Sequence, residues 1–155
     1  MNCCLFDVAH VLSGGFEMGN IWYNEPKTLD VAFDVIGDIV LSAASQQYGG
    51  FTVPSVDLIL EPYAEKSYRR ALAKYERLGV AADLAEKEAL ADVKKEFEQG
   101  FQGWEYKFNT VASSRGDYPF ITVTAGTGTG QFARMASVAM LEVRRGGQGK
   151  TGHKK

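Results

Sequence analysis

Two adjacent thiols, Cys3 and Cys4, are the most readily oxidised side chains of this sequence, which has no other cysteine. Neighbouring cysteines do not build a disulfide framework, and with no second pair they cannot complete a zinc site. They are read as thiols. In an extended chain successive side chains point to opposite faces, so only one of the two can face a given site while the other turns toward packing. The sequence leaves open which one. A second suggestive stretch is Ala125-Gly126-Thr127-Gly128-Thr129-Gly130, just before an amphipathic run. Glycines let an anion approach backbone N–H groups at a helix start, which makes Gly126, Thr127 and Gly128 candidate phosphate contacts. A tight structural turn is the competing reading, because Gln131 stands where a dinucleotide fingerprint expects its third glycine. Gly146-Gly147-Gln148-Gly149-Lys150-Thr151 mimics the end of a P-loop, but Arg144 takes the place of the first glycine and no strand feeds it. His10 and His153 have no acids or thiols at ligand spacing, which gives no support to a triad or a metal centre. Glu17 and Glu25 flank an aromatic turn, where a general-acid role competes with surface or capping roles.

The elements that must hold these residues follow from periodicity and turn signals. Asn2-Cys3-Cys4-Leu5-Phe6-Asp7 is an apolar run of the kind expected for a strand buried on both faces, and its abrupt start reads as an internal piece of a larger enzyme. Residues 9–24, with Gly14-Gly15 and Gly19-Asn20 as turns and Phe16, Ile21, Trp22 and Tyr23 as apolar surface, read as an ordered loop. Thr28 is a plausible cap for a helix that continues toward Tyr48 and stops at Gly49-Gly50. Residues 51–54 read as a short extended connection. Ser55 can cap a second helix that reaches about Leu78 and ends at Gly79, with Pro62 expected to kink it. Asp83 and Glu86 resemble a capping box for a third helix, running through Phe97 and past Gly100 and Gly103 as far as Val111. The lysine- and glutamate-rich part of this pair reads as a solvated helical hairpin. Residues 119–124 form the second clear strand, and Gln131 to Arg145 a last helix with Phe132, Met135, Ala136, Ala139, Met140 and Val143 on one stripe. Strand, helices, strand, helix is an α/β order. Two strands cannot cover so many apolar helices, so partner strands are expected outside this chain.

Composition bounds the function classes. With 155 residues, 45% hydrophobic and 23% charged, the chain suits one ordinary globular domain. A formal charge of −2 argues against non-specific nucleic-acid binding, which needs a basic face. Basic residues crowd the end, from Arg144 and Arg145 to Lys150, His153, Lys154 and Lys155. That tail reads either as a solvated end or as a basic loop that meets phosphate. Neither a membrane span nor a signal peptide is visible, so the expected location is the cytoplasm.

Taken in order, Asn2-Cys3-Cys4-Leu5-Phe6-Asp7, Gly14-Gly15-Phe16 through Pro26-Lys27, Ser45-Gln46-Gln47-Tyr48-Gly49-Gly50, Leu60-Glu61-Pro62-Tyr63, and Asn109-Thr110 with Ser114-Arg115 to Phe120 resemble consecutive landmarks of the anaerobic, class III ribonucleoside-triphosphate reductases. The resemblance covers essentially the whole chain. It implies part of a ten-stranded α/β barrel of the glycyl-radical and ribonucleotide reductase type, cut at both ends and mostly helical here. By resemblance, Cys3 is the first-strand cysteine that faces substrate, with Cys4 as the alternative, and Asn2 lies beside the ribonucleoside triphosphate. A glycyl radical generates a thiyl radical on a second cysteine, which abstracts the ribose 3′ hydrogen; the first-strand cysteine then supplies hydrogen as the 2′ hydroxyl leaves as water, with formate as reductant. The second cysteine, the glycyl radical and the zinc-binding cysteines have no counterpart in this sequence, so no cofactor is expected within it and activity would need the rest of the reductase chain. The family context further implies a homodimer, a radical-SAM activase and control by ATP and dNTP effectors, with Gly146, Gly147, Gln148, Gly149 and Lys150 resembling the loop that relays effector identity. The contrasting expectation is a non-catalytic nucleotide-binding or dimerisation module using the 125–130 loop and the tail, and the bland one a poorly folding product with unpaired strand edges.

Overall fold

A computed structural model of the chain describes residues 3–110, 116–118, 120–147 and 149. Three short strands, β1 (Cys4–Leu5), β4 (Phe51–Val53) and β5 (Ile121–Val123), form a parallel sheet in the order β1-β4-β5. Its register aligns Cys4 with Phe51 and Phe51 with Ile121. Between β1 and β4 the chain runs through α1 (Val8–Leu12), a hairpin of β2 (Phe16–Met18) and β3 (Ile21–Tyr23), and α2 (Leu29–Ala44). Between β4 and β5 it runs through α3 (Val56–Arg77) and α4 (Ala82–Thr110), and α5 (Gln131–Gly146) follows β5. The chain is therefore mixed α/β and mostly helical, as its element order predicts.

The strands depart from the sequence reading in three ways. Phe51–Val53, read as a connection, is the central strand, with Phe51 and Val53 fully buried. Three residues ahead of Pro54 are too few for periodicity to register, and burial rather than pattern makes them a strand. One partner for the opening strand thus lies within this chain. The 9–24 segment is a short helix and a hairpin rather than a loop. Gly19 has φ +65 at the first of two turn residues, the position that a II′ hairpin turn gives to glycine. Finally, β1 is not buried on both faces: Leu5 is 72% exposed, as is Phe120 at 79% beside β5. All the helices of the core pack on the other face.

Helix boundaries follow local chemistry closely. α3 ends in a Schellman motif: Val80 donates to the Tyr75 carbonyl (3.1 Å), Gly79 donates to that of Glu76 (2.9 Å), and Gly79 has φ +78. α3 runs unbroken through Pro62, and the carbonyl deprived of a donor belongs to the exposed Leu58. α4 begins earlier than its capping-box reading, since Ala85 N–H donates to the Ala81 carbonyl (2.8 Å). Asp83 therefore sits inside the first turn, where it opposes the helix dipole. The helix then runs uninterrupted past Gly100 and Gly103; Val111 lies outside the described residues. Thr28 and Ser55 hold cap positions without capping. The Thr28 hydroxyl bonds the Asp30 carboxylate, while Leu29 N–H donates to Ser67 Oγ (2.9 Å).

Two joints tie the helices together. Phe33 of α2 meets Phe101 and Trp104 of α4 edge-to-face, each at 4.9 Å between centroids, and the buried Trp104 indole N–H donates to the Phe33 carbonyl (2.8 Å). Edge-to-face pairs add roughly 0.5–1.5 kcal/mol each to area burial. Gly100 makes this approach possible, because a Cβ there would overlap the Phe33 ring. The second joint is a relay in which Ser67 of α3 accepts from Leu29 of α2 and donates to Glu96 Oε2 of α4 (2.7 Å). Burial pushes the Glu96 carboxyl above its ordinary range, and the hydrogen bond from Ser67 works against that.

Gly100→Ala is expected to lower stability by about 1–3 kcal/mol through overpacking, read as a drop in urea midpoint; an unchanged midpoint would show that Phe33 can retreat. Because the folded state holds the Glu96 proton more tightly than the unfolded chain, its contribution is full at acid pH and is lost as pH rises through the raised value. Glu96→Gln should therefore match the parent near about pH 4 and exceed it in stability near about pH 7.5. Equal differences at both pH values would refute this.

Candidate functional site

The two thiols separate as an extended chain requires. Cys4 N–H donates to the Gly50 carbonyl (3.0 Å) and Phe6 N–H to that of Thr52 (3.1 Å), which fixes β1 against β4. Cys4 and Phe6 pack toward the helices, while Cys3 is exposed and alternates with them on the same side as Leu5. Continuing the register one step back from the Cys4–Phe51–Ile121 row puts Cys3 level with Gly50 and Phe120. Gly50 carries no side chain to crowd that sulfur. Asn2, expected beside the substrate, lies outside the described residues.

The second cluster lies past the other end of the strands. Thr124 ties the ends of β4 and β5 together: its N–H donates to the Val53 carbonyl (3.1 Å), its hydroxyl accepts from Ser55 N–H (2.8 Å) and its carbonyl from Val56 N–H (2.8 Å). Ser55 is held at φ +48 and ψ +51, a left-handed conformation that costs a non-glycine residue about 1 kcal/mol or more. Beyond it, Asp57 is fully buried in the first turn of α3. Its Oδ2 accepts from Gly126 N–H (3.1 Å) and Gly128 N–H (2.7 Å). Thr127, between them, is exposed, with its hydroxyl 3.4 Å from that of Ser55.

Each loop glycine also has a steric reason to be glycine. Gly126 has φ +98; a Cβ at Gly128 would overlap Ala133, and one at Gly130 would overlap the Glu61 carboxylate. The structure therefore brings Gly126, Thr127 and Gly128 together with Asp57 and Ser55, and sets them at the opposite end of the sheet from Cys3. Sequence reading missed Ser55 and Asp57 as parts of this cluster. No motif marks Asp57, whose partners lie about seventy positions away.

The remaining candidates are scattered. Gly146 ends α5 and Gly147 follows at φ +70; Gly149 lies in a bend, and Gln148 and Lys150 fall outside the described residues. Arg144 of the basic tail is committed to Glu105 of α4 at 2.6 and 2.7 Å. Glu25 pairs with Lys66 (2.7 Å), whose ammonium lies over the Tyr63 ring; burial first, and Glu25 second, push that phenol up to about 12. Glu17 is exposed on β2, and His10 is exposed on α1. Among the described residues no group of three or more His, Cys, Asp or Glu side chains converges as a metal site would require, and no helix is long and apolar enough to cross a membrane.

Comparison with known proteins joins these features to one family. The family model for anaerobic ribonucleoside-triphosphate reductase matches residues 1–155. The anaerobic ribonucleoside-triphosphate reductase of Enterobacteria phage T4 is 38% identical over 151 residues, 97% of this chain and 25% of that protein. That of Haemophilus influenzae is 38% identical over 149 residues, covering 96% of this chain and 21% of its own length. The Escherichia coli enzyme is 33% identical over 151 residues, again 96% and 21%. The chain thus spans a quarter or less of these relatives' length. A match over its whole length identifies the chain as a member of the anaerobic ribonucleoside-triphosphate reductase family.

Proposed function

We propose that this chain is the part of an anaerobic ribonucleotide reductase that presents the substrate-side thiol, with Cys3 in that role. The observation that carries the reading is the exposure of Cys3 on the uncovered face of a parallel sheet, while Cys4 packs against the helices. Parallel sheets are normally covered on both faces. In this reading the uncovered face, with Leu5, Thr122 and Phe120, is the inside of a ten-stranded barrel, and the further strands add beside β1 and β5.

The substrate is a ribonucleoside triphosphate, reduced to its 2′-deoxy form. A glycyl radical, through a second cysteine, supplies the oxidising equivalent that removes the ribose 3′ hydrogen. The task of Cys3 is to hold its S–H toward the ribose and give a hydrogen atom to the substrate radical as the 2′ hydroxyl leaves as water, with formate as final reductant. Gly50 in the Cys3 row keeps the approach clear, and Asn2 stands next to it in sequence. The 126–128 loop borders the substrate through Thr127, because the Gly126 and Gly128 amides already have an acceptor. The rest of the reductase chain, a second subunit, a radical-SAM activase and nucleotide effectors read by residues 146–150 complete the working enzyme, which acts in the cytoplasm. A purely nucleotide-binding module built on the loop amides has less support, since those amides bond Asp57.

In a full-length reductase carrying this segment, Cys3→Ala is expected to reduce deoxyribonucleotide formation by about a thousandfold or more, and Cys4→Ala to retain turnover. Turnover at the parental level in Cys3→Ala would overturn the assignment. In the chain as it stands, iodoacetamide should modify Cys3 about tenfold faster than Cys4, followed by peptide mass spectrometry. Equal rates would mean that both sulfurs are similarly accessible.

A further inference from the structure

The 125–130 loop has the composition of a phosphate cradle, and it precedes a 16-residue helix whose first turn contains no acidic residue and whose N-cap, Gly130, has no side chain to cap it. Such an end carries partial positive charge and unpaired N–H groups, which favours anions nearby. Two acids of α3 stand beside it and the loop that leads into it. Asp57 accepts the Gly126 and Gly128 amides, and Glu61, one turn further on the same face of α3, lies against Gly130. Asp57 is 0% exposed, and its second oxygen, Oδ1, is buried with no hydrogen-bond partner in the protein. A buried carboxylate is retained against its desolvation cost only where strong donors hold it, and here the two loop amides are those donors.

We propose that Asp57, with Glu61 behind it, is the resident anion of this loop: α3 supplies the negative charge that a glycine loop and helix start would otherwise draw from a phosphate. The loop is thereby a fixed wall, with Thr127 turned outward beside Ser55, and Asp57 is a positioning residue for it. A phosphate entering the nest would have to displace one carboxylate and lie beside another. This goes beyond the Cys3 assignment and does not depend on it, because the two clusters lie at opposite ends of the sheet.

The test uses the isotopically labelled chain, inorganic phosphate as the probe, and the amide resonances of Gly126, Gly128 and Gln131. In the parent these resonances are expected to stay in place as phosphate is added, while in Asp57→Ala/Glu61→Gln they move saturably, with apparent affinity at least about tenfold higher. Saturable movement in the parent, or none in a folded double variant, would overturn the proposal and leave the Cys3 assignment standing. Should the double variant not fold, amide hydrogen exchange in the parent decides: Gly126 and Gly128 should exchange at least about tenfold more slowly than the intervening Thr127. Exchange of all three at one rate would refute Asp57 as their acceptor.

Discussion

Burial of the three-residue strand β4 is the constraint on which the rest of the structure depends. Phe51 and Val53 fill the space under the helices, and Phe51 is aligned with Cys4 on one side and Ile121 on the other. Because side chains alternate strictly along a strand, this alignment turns Cys4, Phe6, Ile121 and Val123 toward the helices as well. It leaves Cys3, Leu5, Thr122 and Phe120 on the other face. A slip of one residue in β1 would exchange the two thiols, burying Cys3 and exposing Cys4. Which of the two thiols is exposed is therefore set by how well Phe51 and Val53 pack, some distance from either sulfur.

The same strand leads directly into α3, which organises both the loop end of the sheet and the helical layer. Its first turn contributes Asp57 to the glycine loop, and its middle contributes Ser67 to the joint with α2 and α4. Two buried polar groups on one helix thus fix its rotation at points almost three turns apart, which apolar packing alone would leave looser. The left-handed Ser55 is the cost of this placement. The chain must turn from β4 into α3 within Pro54 and Ser55, and Thr124 supplies the hydrogen bonds that hold the turn.

Much of this was legible in the sequence where the signal is local and long. α2 and α5 follow from apolar spacing, α4 from its capping-box pattern, and the end of α3 from Gly79, because helix periodicity, start signals and a left-handed terminator act within a few residues. Strand β4 and the hairpin were not legible: three-residue strands have no measurable period, and their identity comes from partners far along the chain. Caps were legible as positions but not as bonds. Ser55 and Thr28 stand at helix starts, yet their hydroxyls bond Thr127, a tertiary partner, and Asp30, a side chain two residues on, in place of the capping interaction. The opposite orientations of the two thiols followed from strand geometry, whereas the choice of Cys3 for the open face required knowing which side the helices cover.

The glycine loop shows why composition alone misleads about binding. Glycine is required wherever something comes too close for a Cβ, and the sequence cannot say whether that something is a ligand or the protein itself. At Gly128 and Gly130 it is the protein: Ala133 on one side and the Glu61 carboxylate on the other. The information that distinguishes the cases sits on another helix, in two acids spaced four residues apart. An acid pair at that spacing on an exposed helix face means little. With Asp57 buried and bonded to the glycine loop, and the half-buried Glu61 against Gly130, the anion that the loop invites is, on our proposal, already part of the chain.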